Sequence, residues 1–169
     1  AFDWNAVFEH GMMGSRHYKR NGICRKDELA ANLQEWAASN PDDPFDVLGH
    51  VPLTVAGEGG SPEFWENLAA GMERESGIWI LKPSDSSNAT AITVFKSLET
   101  AQRIVAEEHA SSGETRPAVK DGERVEAARR WVAQKYIERP LLIGGKKFHI
   151  RGWVLAQGCV SVYLHQNCV

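Results

Sequence analysis

Lys82 stands at the exit of a continuous apolar run, Ile78-Trp79-Ile80-Leu81, bounded by Gly77 and Pro83. An ammonium there either snorkels from a strand end to water or offers a point charge to an anion. The second reading gains weight from Gln134-Lys135-Tyr136-Ile137-Glu138-Arg139-Pro140-Leu141-Leu142-Ile143, followed by Gly144-Gly145-Lys146-Lys147-Phe148-His149-Ile150-Arg151. A strand with an amide and an ammonium beside an aromatic, turning into a second strand with Lys147 and Arg151, has the groups to read an adenine edge and hold phosphates. Lysines neutralise polyphosphate as point charges, and a strand edge supplies the donor and acceptor that adenine requires. Each residue alone is ordinary surface; the ordered set is not.

These residues need elements to position them. The 169-residue chain is 43% apolar, enough for a packed core. The stretch from Ala1 to Gly22 has no clear period and reads as irregular. Asp27 is expected to cap a helix running to about Ser39, with Leu29, Leu33 and Trp36 at helical spacing and Asn40-Pro41 as its stop. Residues 41–60 read as a loop-rich connector. Ser61-Pro62, a hydroxyl N-cap followed by Pro at the first helical position, opens a second helix expected to end near Gly77.

Ile78–Leu81 has the pattern of a strand buried on both faces. A short strand over Ile92–Phe95 and an amphipathic helix from Leu98 to about His109 follow. Residues 111–121 read as a polar, mobile connector. Trp131–Ile137, Phe148–Ala156 and Cys159–His165 are expected as strands, with Trp79, Trp131 and Trp153 in the core.

Composition excludes several classes. There are 19 Lys and Arg against 22 Asp and Glu, a formal charge of -3, so the whole molecule is not a polyanion binder. Residues 116–151 nevertheless hold 10 basic and 4 acidic side chains, and none of these four types occurs after Arg151. That basic stretch overlaps the presumed phosphate groups and lacks an aromatic ladder, which argues against nucleic acid as a partner. Cys24, Cys159 and Cys168 form no CxxC pair and fit a reducing compartment or simple buried thiols better than a disulfide frame. No apolar stretch approaches the ~18 residues of a membrane span. His10, His17, His50, His109 and His165 lack metal spacing and read as surface or hydrogen-bonded histidines. A chain without an initiating Met that stops at Val169 inside an apolar run reads as processed or partial.

The segments Trp79-Ile80-Leu81-Lys82-Pro83-Ser84, Gln134 to Ile143 and Lys146 to Ala156 together resemble the tubulin–tyrosine ligase family of ATP-grasp ligases. The resemblance runs over about 78–165, and more weakly over about 16–38, where Ile23-Cys24-Arg25-Lys26-Asp27-Glu28-Leu29 resembles the segment with the family's first ATP-facing lysine. It implies that Lys26 and Lys82 face nucleotide phosphates, and that the Gln134 side chain and the Lys135, Tyr136 and Ile137 backbone surround adenine. It further implies that Lys147 contacts the nucleotide, His149 stands at the ribose position, and the catalytic Arg151 meets the transferred phosphate or the incoming amino acid. Such ligases activate a carboxylate as an acyl-phosphate and attack it with an amine. The implied function is ATP-dependent ligation of an amino acid to a protein tail such as that of tubulin, in the cytoplasm and in the setting of the cytoskeleton or cilium.

Three departures from the family pattern stand out. The loop after Pro83 has Ala89 and Ala91 at both places where glycine is usual, and a Cβ closes much of the φ > 0 space a phosphate cradle uses. His149 replaces the Asp of many members. The family's magnesium ligands are carboxylates and an Asn on later strands, whereas nothing after Glu138 is acidic. No metal ligand is therefore assigned, and Mg2+ is expected only with a further C-terminal half.

The expected fold is α+β of ATP-grasp type, in part. Residues 1–60 would form an N-terminal helical and loop region, 61–130 the central strand–loop–strand and helix, and 131–169 the start of the C-terminal sheet. The alternative is a catalytically degenerate relative serving as a structural or interaction subunit of a larger assembly.

Overall fold

The computed structural model describes residues 9–10, 21–84, 86, 91–113, 115–120, 123–157 and 161–166. Most of the 1–22 segment, most of the loop between Ser84 and Ala91, Cys159 and Cys168 lie outside the described residues. The chain divides into two units. One is Asn21–Glu138; the other joins Ala1–Arg20 to Arg139–Val169.

The larger unit is mixed α and β. A short helix α1 (Asn21–Cys24) leads into α2 (Lys26–Ser39). Arg25, not Asp27, is the N-cap residue of α2, and its side chain makes no capping bond. Asp27 points inward instead, 3% exposed, because a buried serine and an arginine from distant segments compete for its carboxylate more strongly than the helix N-terminus does. Asn40 closes the helix as expected, its N–H and its side-chain amide both donating to the Trp36 carbonyl.

After a 3-10 turn at Leu48–His50 comes β1 (Thr54–Glu58) and then α3 (Pro62–Arg74). Ser61 Oγ accepts from Phe64 N–H at 3.2 Å, the cap that the Ser-Pro pair promised. Phe64, Leu68 and Gly71 form the buried face of α3 at i, i+4 and i+7. Between β1 and α3 the chain passes so close to Trp131 that a Cβ on Gly59 would lie 2.3 Å from its ring. Next come β2 (Trp79–Pro83), β3 (Thr93–Phe95) and α4 (Leu98–Ser112). A hairpin of β4 (Thr115–Lys120) and β5 (Glu123–Ala128) then leads to β6 (Arg130–Lys135). That hairpin overturns the polar connector expected over 111–121: backbone pairing between adjacent segments needs no apolar pattern.

The main sheet has the order β1-β6-β2-β3, antiparallel throughout. Trp131–Lys135 is thus an interior strand of the same sheet as Trp79–Pro83. One face carries Trp79, Leu81, Trp131 and Ala133, all fully buried with Phe64, Leu68, Ala101 and Val105. The Trp79 indole N–H is satisfied by the Glu75 carbonyl at 3.0 Å. The other face is only half covered, so β2 alternates buried and intermediate rather than being buried on both sides.

The second unit is small. Ile143 and Lys146 bridge across Gly144-Gly145, both at positive φ, the conformation a two-residue reversal requires. β7 (Val154–Gln157) pairs with β8 (Ser161–Leu164). The expected strand over Phe148–Ala156 is regular only from Val154: the Trp153 carbonyl still accepts the His165 N–H at 2.9 Å, but among the described residues no strand pairs with 148–152. Trp153, expected in the core, is 58% exposed.

Candidate functional site

Strand register builds the half-covered face. Thr54, Gln134 and Ile80 are directly paired across β1, β6 and β2, and Ala56, Val132 and Lys82 form the next row. Paired residues share a face, and so do residues two apart. Lys82, Gln134 and Thr54 therefore lie together opposite the tryptophan face. The Lys82 Nζ donates to Gln134 Oε1 at 2.8 Å, Gln134 Nε2 donates to Thr54 Oγ1 at 2.8 Å, and the Thr54 hydroxyl donates to the Pro52 carbonyl at 2.8 Å.

These groups border a cavity of about 440 Å³, within the range of small-molecule sites. Lys26 closes one side of it, and Leu29, Leu33, Val51 and Leu53 form an apolar wall. Burial pushes the Lys82 ammonium below its ordinary pKa, and the charge of Lys26 adds to the effect. Among the described residues no carboxylate ion-pairs with either lysine. Among the described residues Lys82 is held by a neutral amide with a second cation nearby, an arrangement that an anion would stabilise. Arg74 and Glu75 also line the cavity, which leaves three cationic side chains against one carboxylate and suits a ligand with an anionic end and an apolar or aromatic body.

Lys26 is at present engaged elsewhere. Its Nζ donates to the carbonyls of Pro83 at 3.2 Å, Ser84 at 3.5 Å and Ser86 at 2.5 Å. It grips the turn that leaves β2. Beside it, Asp27 accepts a hydrogen bond from the Ser84 hydroxyl and one from Arg130 Nε at 2.5 Å, with Arg25 Nε 3.6 Å away. Burial would raise the Asp27 carboxyl, but the bonds from Ser84 and Arg130 and the charges of Arg25 and Arg130 outweigh it and hold the pKa below the ordinary value. The start of α2 is thereby tied to the exit of β2, which keeps both lysines on one cavity.

The Lys135–Ile137 segment ends β6. The Lys135 N–H donates to the Leu53 carbonyl at 2.8 Å and the Tyr136 N–H to the Ile78 carbonyl at 3.0 Å. Ile137, 57% exposed, carries the next main-chain donor. The Lys135 ammonium is paired with Glu138 at 2.5 Å and also donates to the Ile78 carbonyl at 3.1 Å. The Lys135 ammonium and the Ile78 N–H both bond the Glu138 carboxylate and lower its pKa.

Of the residues singled out from sequence, Lys26, Lys82 and Gln134 border one cavity; Lys135 ends β6, two residues short of the expected strand end, and Tyr136 and Ile137 follow outside regular structure. Lys147, His149 and Arg151 belong to the other unit, where all three are exposed and outside regular structure. Sequence reasoning missed Thr54 and the Asp27–Ser84–Arg130 group. Thr54 lies in a stretch that reads only as a short apolar segment, and no local pattern links Asp27 to residues 57 and 103 positions away. Among the described residues no group of three or more His, Cys, Asp or Glu could hold a metal ion, and no helix is long and apolar enough to cross a membrane. Cys24 is a free, exposed thiol.

The sequence model of the Tubulin-tyrosine ligase family matches residues 10–169. A probable tubulin–tyrosine ligase of Schizosaccharomyces pombe is 38% identical over 170 residues, covering 86% of this chain and 42% of that protein. The tubulin monoglycylase of Homo sapiens is 41% identical over 85 residues, 50% of this chain and 9% of that protein. A probable tubulin–tyrosine ligase of Saccharomyces cerevisiae is 26% identical over 173 residues, 88% of this chain and 23% of that protein. The chain spans less than half the length of each of these relatives.

Proposed function

The chain belongs to the tubulin-tyrosine ligase family, and from that premise we propose that it is the nucleotide-binding part of an ATP-dependent ligase that adds an amino acid to a protein tail, with tubulin as the acceptor. The observation that carries this reading is the Lys82–Gln134 contact on a cavity shared with Lys26. The residues fit the nucleotide: two cations with no carboxylate ion-paired to them among the described residues suit phosphates, and the Gln134 amide and an apolar wall suit a base. When bound, ATP supplies the phosphoryl group that activates a carboxylate for attack by an amine.

The chain's own part is to bind and orient. Lys26 and Lys82 hold the phosphates, Lys26 exchanging its carbonyl partners for them. The Gln134 side chain and the Lys135–Ile137 backbone hold adenine. Lys147, His149 and Arg151 keep the roles that the family likeness implies, at the nucleotide, the ribose and the reacting phosphate or amino acid. The fold is read as part of an ATP-grasp, and the setting as cytoskeletal or ciliary.

One observation favours a second reading, an interaction subunit of a larger assembly. The β7–β8 hairpin exposes Trp153, Val154, Leu155, Val162, Tyr163 and Leu164, each more than half accessible, a surface suited to association. Calorimetry with ATP separates the two. Binding that Lys82→Ala abolishes, with a melting temperature shifted by only a few degrees, is the expected result. Unchanged affinity in Lys82→Ala, or no binding by the parent chain, would overturn the nucleotide reading.

A further inference from the structure

We infer that Thr54 is a positioning residue for Lys82, acting through the Gln134 amide. Its bearing on ligand binding rests on the nucleotide reading above; the positioning itself does not.

A hydroxyl has one proton, and Thr54 donates it to the Pro52 carbonyl at 2.8 Å. Toward Gln134 the same oxygen can only accept, so the amide must turn its NH2 group to Thr54, where Nε2 lies at 2.8 Å. That sends Oε1 to the other side, where Lys82 donates to it at 2.8 Å. The reversed amide would place NH2 against an ammonium, donor against donor. The polarity of three successive bonds therefore decides an orientation that the shape of the amide leaves open.

Pairing Thr54 with Gln134 across β1 and β6 fixes the contact, and the stiff β-branched side chain keeps the hydroxyl in place. The consequence falls on Lys82. A carboxylate at position 134 would hold the ammonium and cancel its charge. An oriented amide holds it and leaves the full charge available to an anion on the cavity. Thr54, whose side-chain hydrogen bonds go to Pro52 and Gln134, thus sets where that charge stands.

The test uses the full chain with 15N-labelled lysine side chains, the Lys82 signal being assigned by its loss in Lys82→Ala. A hydrogen-bonded Lys82 ammonium is expected in the parent and in Thr54→Ser, and a shifted or exchange-broadened one in Thr54→Val. Thr54→Ala, which removes volume without placing a methyl against the amide, gives the same readout if the valine variant does not fold. ATP affinity should fall about fivefold to tenfold in Thr54→Val, the loss of one neutral hydrogen bond, and recover to within about twofold in Thr54→Ser. An unchanged Lys82 signal in a folded Thr54→Val or Thr54→Ala chain overturns the inference, whatever the ATP result. A Lys82 signal that responds in a chain that does not bind ATP supports the positioning and rejects the nucleotide reading alone.

Discussion

Replacing Asp27 with Asn removes the charge from a side chain 3% exposed while leaving its shape. In the native protein that carboxylate faces the Ser84 hydroxyl, Arg130 Nε at 2.5 Å and Arg25 Nε at 3.6 Å. Removing one partner of a buried ion pair costs about 3–5 kcal/mol. Arg130 is 41% exposed and can rehydrate, and Asn can still accept from Ser84, so the lower end applies, about 3 kcal/mol. For a domain of this size the melting temperature should fall by about 10 °C.

The pH dependence is the sharper test. The folded-state pKa of Asp27 lies below its ordinary value, so the charge contributes its stability in full above the unfolded-state pKa of about 4. That stability is lost as pH falls through the folded pKa. Urea unfolding of parent and Asp27→Asn should differ by about 3 kcal/mol near pH 7, and the gap should narrow as pH falls through the folded pKa. Taking the difference cancels the other carboxylates with lowered pKa, Glu99 and Glu138. A gap that stays the same from neutral pH to below the folded pKa would refute the charge argument, since a packing defect does not titrate.

Two further outcomes are expected. Ala91 sits at φ 54, where an L side chain costs about 1–2 kcal/mol, so Ala91→Gly should stabilise the chain by about 1 kcal/mol after the greater entropy loss of glycine, read as a higher denaturant midpoint with the same slope. Amide exchange should be fast across β7 and β8, an exposed two-stranded hairpin, and slow across β6, which is bonded on both edges; uniformly slow exchange in a chain that light scattering finds monomeric would contradict it.

The features legible in residue order are mostly local. The Ser61-Pro62 cap, the Asn40-Pro41 stop, the apolar run at 79–81 and the strand through Trp131 are set by hydrogen bonds and side-chain periods within a few residues. The family likeness is also legible in residue order, without coordinates. Tertiary structure decided the rest. Asp27 has the local context of a helix cap, yet it is buried against Arg130, 103 positions away. Trp153 has the local context of a core residue, yet it is exposed. Gln134 meets Lys82 and Thr54 across separations of 52 and 80 residues. Which residue faces which depends on strand register, and a slip of one residue would turn Gln134 to the tryptophan face. Register is fixed by burying Trp79, Leu81, Trp131 and Ala133 against α3 and α4, an outcome of the whole packed unit that no window of sequence contains.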